Sequence, residues 1–345
     1  IPTMGTNAFL AGDNIINFWR RMIHTPEAGV YTTGFEEPDT ILAEHWKDCN
    51  GFVLDILGIL TLYMADGVDV LKAMGKDCLV TRSTWELLES DIDALTDRMD
   101  ETSLSVDFEG DRLVKIEITP EEKQAQLDRF QKLVDSLREF ITIIDPPLSE
   151  DFSKKRTFDE VLGRSFVDAM AVAGDRGYWL FSDDPALRKL ATERNSLRCI
   201  STISMVSLAE KVKVIDHARL NDIFVQLIRC NYRSVPVNPQ IMMQVLIASE
   251  YSVKFPFTQA TDLLEKGLVK DVPAVVLVVR FLQELFLNCS VVHTRTLVLQ
   301  FLLQRLFAGR NRVMIRLMLI RALQLKFNLL PIQLEEIMAQ VNLWV

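Results

Sequence analysis

The stretch TFDEVLGRSFVDAMAVAGDRGYWLFSDDPALRKLATE, residues 157–193, decides the fold. FVDAMAVA carries the apolar periodicity of a helix, and Asp168 sits on that apolar face. GYWLFS is an apolar run of strand length. It ends in Ser182, Asp183 and Asp184, where the strand gives way to the helix PALRKLA. Pro185 suits the first helical turn, because its missing N–H is one that a helix start leaves unused. A helix, a buried strand and acids at the strand's carboxyl end are the parts of an open α/β sheet, which does its chemistry at that edge.

Working outward towards the amino terminus, GFVLD reads as a buried strand ending in Asp55. ILGILTLYMA and GVDVLKAMG read as helical segments, and CLVT as a second strand. RSTWELLESDIDALTDRMD then reads as a helix, with Ser83 and Thr84 as cap candidates and Glu86 in the first turn. Strand and helix alternate, which argues for a parallel sheet with helices on its faces. LSVDFEGDRLVKIEIT breaks that rhythm and predicts a β-hairpin over 103–118, inserted between two elements of the sheet. TPEEKQAQLDRFQKLVDSLREFITII opens on a strong helix start and predicts a helix of about seven turns.

Towards the carboxyl terminus, LRCIST predicts a further buried strand. Beyond it the chain reads as helices, unusually apolar and broken by Gly, Asn or Pro. Their lengths leave an irregular helical-repeat stack open. Three spans are expected: an amino-terminal helical segment over 1–50, an α/β domain over 51–236 and a helical domain over 237–345. The opening IPTMG has no initiating methionine, so the chain is expected to be a piece of a longer protein, with 1–50 the end of a truncated region.

With 49% apolar and 25% charged residues, the 345-residue chain has a globular composition. No apolar run approaches the roughly 20 residues that cross a bilayer, so no membrane partner is expected. The five cysteines are scattered and form no CxxC or CxxH pair, which points to a reducing, cytoplasmic setting without zinc or disulfides. Neither a Walker A loop nor GxGxxG is present. Charge is uneven: residues 36–151 hold 28 acids against 11 bases, and residues 280–330 hold eight bases against one acid.

Asp55, Glu86, Asp168 and the Asp183–Asp184 pair are therefore expected at one edge of the sheet. Acids gathered there repel one another, and a divalent cation with a taste for hard oxygen, Mg²⁺ or Mn²⁺, relieves the repulsion. Each acid also has a plain reading as a cap, turn or surface residue. Asp168 is the hardest to dismiss, because a lone acid on an apolar helix face needs a partner.

In order and wording the motifs resemble a PIN domain, a metal-dependent ribonuclease fold. VLDILGILTLY resembles the family's first strand with its opening Asp, STWELLE its helix with the metal-site Glu, and SFVDAMAVAGDRGYWLFSDDPALRKLA its joined third and fourth motifs. The SDDPALRKLA segment and the CIST that follows are most similar to bacterial PIN domains attached to tetratricopeptide and GreA/B-like proteins. The resemblance covers about residues 50–236. It implies that Asp55, Glu86, Asp168 and Asp184 are catalytic metal ligands, with either acid of the pair Asp183–Asp184 facing the cleft. It implies Ser182 in support, and single-stranded RNA as a substrate cut to 5′-phosphate and 3′-hydroxyl ends, in a toxin, defence or stress setting. The hairpin, the long helix after it and the helical last third depart from the small toxin forms.

Arg188, one turn after the acids, and the basic run with Arg310, Arg312 and Arg316 are candidate RNA contacts, set against local ion pairing and a solvated basic face. The competing reading is a catalytically weak scaffold whose apolar helices bind a protein partner or a second copy.

Overall fold

The computed structural model describes residues 4–11, 14–25, 28–32, 39–97, 103–109, 112–147, 159–265 and 268–344. The first elements are α1 (Met4–Leu10), α2 (Ile15–His24), β1 (Val30–Tyr31), α3 (Asp39–His45) and β2 (Gly51–Leu54). Next come α4 (Ile56–Met64), α5 (Val68–Ala73), β3 (Asp77–Thr81) and α6 (Arg82–Asp97). The hairpin β4 (Ser103–Glu109) and β5 (Arg112–Ile118) leads to α7 (Pro120–Arg138) and β6 (Ile141–Ile144). A single turn α8 (159–162), α9 (Arg164–Arg176), β7 (Trp179–Phe181), α10 (Pro185–Asn195), β8 (Cys199–Ile200) and α11 (Thr202–Lys211) complete the α/β part. Then follow α12 (His217–Arg229), β9 (Tyr232–Arg233), α13 (Pro239–Ala248) and α14 (Phe257–Ala260). The chain ends with α15 (Asp271–Asn288), α16 (Val292–Phe307), α17 (Arg312–Lys326) and α18 (Pro331–Val341).

Two compact units divide the chain: Ile1–Arg20 with Gly34–Val214, and Arg21–Thr33 with Ile215–Val345. The division between Val214 and Ile215 falls inside the expected 51–236 span, because α12 packs on α13 among the later helices. The expected 1–50 segment is also shared out, since β1 pairs in parallel with β9.

In the first unit five parallel strands lie in the order β6-β3-β2-β7-β8. The middle strand β2 is buried along its whole length, as a strand with helices on both faces must be. Phe52 stacks on Trp46 and meets Trp179 and Phe181 edge-on, so aromatic packing fixes β2 against β7. The register pairs Leu54 with Phe181, which sets Asp55 and Ser182 side by side at the carboxyl edge. Gly58 permits that closeness: a Cβ there would come within 2.5 Å of the Phe181 ring.

Two expectations need correction. The helix from residue 119 stops at Arg138, and Ile141–Ile144 forms the edge strand β6 paired to β3. The run ITII is β-branched and favours the pleated surface once the helix has ended. Second, α6 begins at Arg82, directly after β3, so Ser83 and Thr84 are inside the helix and Glu86 is in its second turn. The cap is Thr81, whose hydroxyl accepts from the Thr84 amide at 3.3 Å. The hairpin forms as expected, from Ser103 opposite Ile118 to Glu109 opposite Arg112.

In the second unit α13 packs on α15 and α15 on α17, while α16 packs on α15 and α18. Phe257 contacts Phe281 and Phe301, and Phe307 stacks on Trp344. Leu282, Leu285, Leu302, Leu306, Leu319 and Leu323 are fully buried. Among the described residues no helix is long and apolar enough to cross a membrane.

Candidate active site

The chain delivers its acids to the carboxyl edge through caps. Asp55 follows β2 and caps α4, its Oδ1 accepting from the Gly58 amide at 2.6 Å. Asp184 follows β7 and caps α10, its Oδ1 accepting from the amides of Ala186 and Leu187 at 2.9 and 3.0 Å. Asp183 turns towards β8 and α11, where the Thr202 amide donates to it at 3.0 Å and the Thr202 hydroxyl donates to its other oxygen. Asp55 and Asp184 are thus each placed by capping the helix that follows them, and Asp183 by Thr202, 19 residues on.

Asp55, Ser182, Asp183 and Asp184 come together, and all four are buried. Burial pushes the Asp55 carboxyl up to about 7. The Ser182 hydroxyl and the Gly58 amide oppose that rise, and the charges of Asp183 and Asp184 add to it. Asp183 is pushed up to about 6, again by burial, against the pull of Thr202 and Arg188. Asp184 is raised by burial too, against the amides of Met4, Leu187 and Ala186 and the charge of Arg188. Among the described residues, Asp55 Oδ2 is one of several buried polar atoms without a geometric hydrogen-bond partner, and the one that lies at the acid cluster.

Asp168 is fully buried on α9 and is held from α6 and from its own helix. The Ser83 hydroxyl donates to its Oδ2 at 2.7 Å, and Arg164 Nε lies 3.4 Å from the same oxygen. The partner that an acid on an apolar face requires is therefore Ser83, itself linked to Thr81 at 3.2 Å. Glu86 is exposed, one turn beyond Ser83. It lines a cavity of about 400 Å³ together with Ser83, Asp159, Glu160 and Arg164. Among the described residues no three His, Cys, Asp or Glu side chains are placed to hold one ion.

Two expected RNA contacts are corrected. Arg188 is wholly buried and donates to the Ser182 carbonyl at 2.6 Å, so it neutralises the acids from behind and presents nothing to a ligand. Arg310 has a buried side chain that bonds Asp271 and the carbonyls of Leu264, Glu265, Val269 and Leu306, tying α16 to the turns before α15. Arg312 is exposed, and the half-buried Arg316 donates to Asn342 at 2.9 Å.

The cation beside the acids that sequence reasoning passed over is Arg164, whose side chain is 63% exposed. The signal was its position, one helical turn before Asp168. Ser83 and Thr202 were visible only as a helix cap and part of a strand motif, and their partners lie 85 and 19 residues away.

Neither the curated proteins nor the solved structures contain a match to this chain. One family model does match, over residues 53–193: the PIN domain associated with the TPR-GreAB-C-PIN system. That span begins within β2, ends within α10 and contains every acid of the constellation. PIN domains are generally nucleases and typically use divalent metals. Over residues 53–193 the chain thus matches the PIN domain associated with the TPR-GreAB-C-PIN system, and the five-stranded parallel sheet with its flanking helices is consistent with a PIN fold.

Proposed function

We propose that the PIN domain is a metal-dependent endoribonuclease acting on single-stranded RNA. The observation that carries this reading is Asp55 Oδ2, a buried carboxylate oxygen without a hydrogen-bond partner among the described residues, with two further acids close enough to raise its proton affinity. A native structure rarely leaves such an atom bare without a use for it. The donors are hard oxygens, which suit Mg²⁺ or Mn²⁺. Asp55 and Asp184 would hold the ion, with Asp183 supporting from its place on Thr202; Asp168 and Glu86 would complete the set only by leaving the positions they take here, because among the described residues no three acids are placed on one ion. Such an ion supplies a polarised phosphate and an activated water at neutral pH.

The chain's own residues do the rest. Ser182 and Gly58 orient Asp55. Arg188 keeps the dry acid cluster from holding three uncompensated charges. Arg164, solvent-facing beside Asp168, would meet a phosphate oxygen, and Ser83 holds the Asp168 carboxylate in position. The family's association with tetratricopeptide proteins supports a protein partner for the helical unit, and the five free cysteines support a cytoplasmic setting.

Asp55→Asn tests the reading. Asparagine keeps the helix cap and removes the charge, so the variant should fold and lose Mn²⁺-dependent cleavage of a labelled single-stranded RNA by at least 100-fold, an order-of-magnitude expectation for a lost metal ligand. Cleavage that persists both in this variant and in EDTA would rule the mechanism out.

A second reading, a scaffold with weak catalysis, is favoured by the hydrogen bonds that already engage Asp183 and Asp184. It predicts no Mn²⁺-dependent cleavage by the wild-type chain.

A further inference from the structure

We infer that the amino-terminal helix α1 is a strap closing the candidate site, and that it must lift before Asp184 can take a ligand. The inference rests on the metal-site reading above and concerns how that site is regulated.

Three contacts hold the strap. The Met4 amide, the first of α1, donates to Asp184 Oδ2 at 2.5 Å. Thr6 Oγ1 donates to the Val161 carbonyl on α8 at 3.0 Å. Ala8 is buried and, with Asn14 and Ile15, walls the cavity that holds Ser83, Glu86 and Arg164. The segment therefore reaches from the Asp184 side of the site to the Glu86 side.

The chemistry of Asp184 makes this contact matter. Its Oδ1 is committed to the amides that start α10, so Oδ2 is the oxygen left for a cation. The Met4 N–H occupies it. A divalent cation on Oδ2 withdraws charge from that oxygen and repels the positive end of the N–H dipole aimed at it, so a bound ion weakens the Met4 bond. A seven-residue helix has almost no stability of its own, and it stays formed through its contacts. Losing the Asp184 bond should therefore loosen all of α1, in keeping with the low local stability of elements that gate sites.

Met4→Pro isolates the effect in the full chain. Proline fits the first position of a helix and lacks the N–H that binds Asp184. Mn²⁺ binding is read by calorimetry, and the strap by hydrogen exchange of residues 4–11, with Asp55→Asn as the control for site-specific binding. Met4→Pro should bind Mn²⁺ about tenfold more tightly than wild type, an effect of the size of one hydrogen bond. In wild type, Mn²⁺ should speed exchange in residues 4–11. Binding by Met4→Pro alone would also support the strap, as a closure that wild type does not open. Equal Mn²⁺ affinity in both, with α1 exchange unchanged by the ion, overturns the strap and leaves the metal site standing. Absence of binding in both overturns strap and metal site together. Should Met4→Pro fail to fold, Thr6→Ala removes the bond to Val161 and must move affinity in the same direction, and no change there counts against the strap.

Discussion

At Asp55 one side chain caps a helix, lies against Ser182 and keeps a buried oxygen that no donor among the described residues reaches. Its charge is therefore expensive in the metal-free protein. The carboxyl titrates near 7 when folded, against about 3.9 in an unfolded chain. Between those values the native state holds the extra proton, so stability falls as pH rises. Asp183, raised to about 6, acts with the same sign. In metal-free protein these two carboxyls should thus contribute most below about pH 4, a contribution lost by pH 8 that amounts to on the order of a few kcal/mol. Urea unfolding across that range measures it, Asp55→Asn should flatten the slope, and saturating Mn²⁺ should reverse it. A flat profile in wild type would mean that Asp55 is ionised throughout. Arg188 sits on the other side of the ledger. With Arg188→Met the buried acids lose their counter-charge, and stability at pH 8 should fall by about 3–5 kcal/mol, less at pH 5 where protons replace it. A loss under about 1 kcal/mol at both pH values would remove Arg188 from that role.

Among the elements, α16 and α17 carry basic residues that look alike in sequence and differ in the fold. Arg310, between them, ties carbonyls from three turns and the Asp271 carboxylate, whereas Arg312 opens α17 facing solvent. Arg310→Ala should cost about 3 kcal/mol and Arg312→Ala less than about 0.5 in thermal or urea unfolding. If RNA follows this surface, Arg312→Ala with Arg316→Ala should flatten the salt dependence of binding by about one unit of slope per lost phosphate contact, measured by fluorescence anisotropy. An unchanged slope assigns α17 to protein contacts. The elements also show what a sequence discloses. Periodicity was enough for β2, β3, β7, β8 and the hairpin, and strand-end acids for the meeting of Asp55 with Asp183 and Asp184, since each is a local pattern; the expected company of Asp168 and Glu86 is not seen, since Asp168 is held by Ser83 and Glu86 is exposed. The strand β6 was hidden because ITII continues a helical run, and only its pairing with β3 distinguishes the two. Arg188 looked like a ligand contact because one helical turn of spacing cannot say which side of the cap the side chain enters. Asp168's tie to Ser83 and Asp184's tie to Met4 join residues 85 and 180 positions apart, which no local pattern encodes.

For the molecule as a whole, the two units interleave along the chain. Residues Arg21–Thr33 belong with the helical unit, although the PIN-bearing unit lies on both sides of them in sequence. Asn231 donates to the carbonyls of Met22 and Thr25, and β1 pairs Val30 and Tyr31 with Tyr232 and Arg233. During synthesis this pairing imposes a wait. Tyr31 leaves the ribosome about 200 residues before Tyr232, and at roughly 5–20 residues per second that is about 10–40 s. The PIN-bearing unit has the time to fold first, while β1 stands as an unpaired edge that a neighbouring chain could capture.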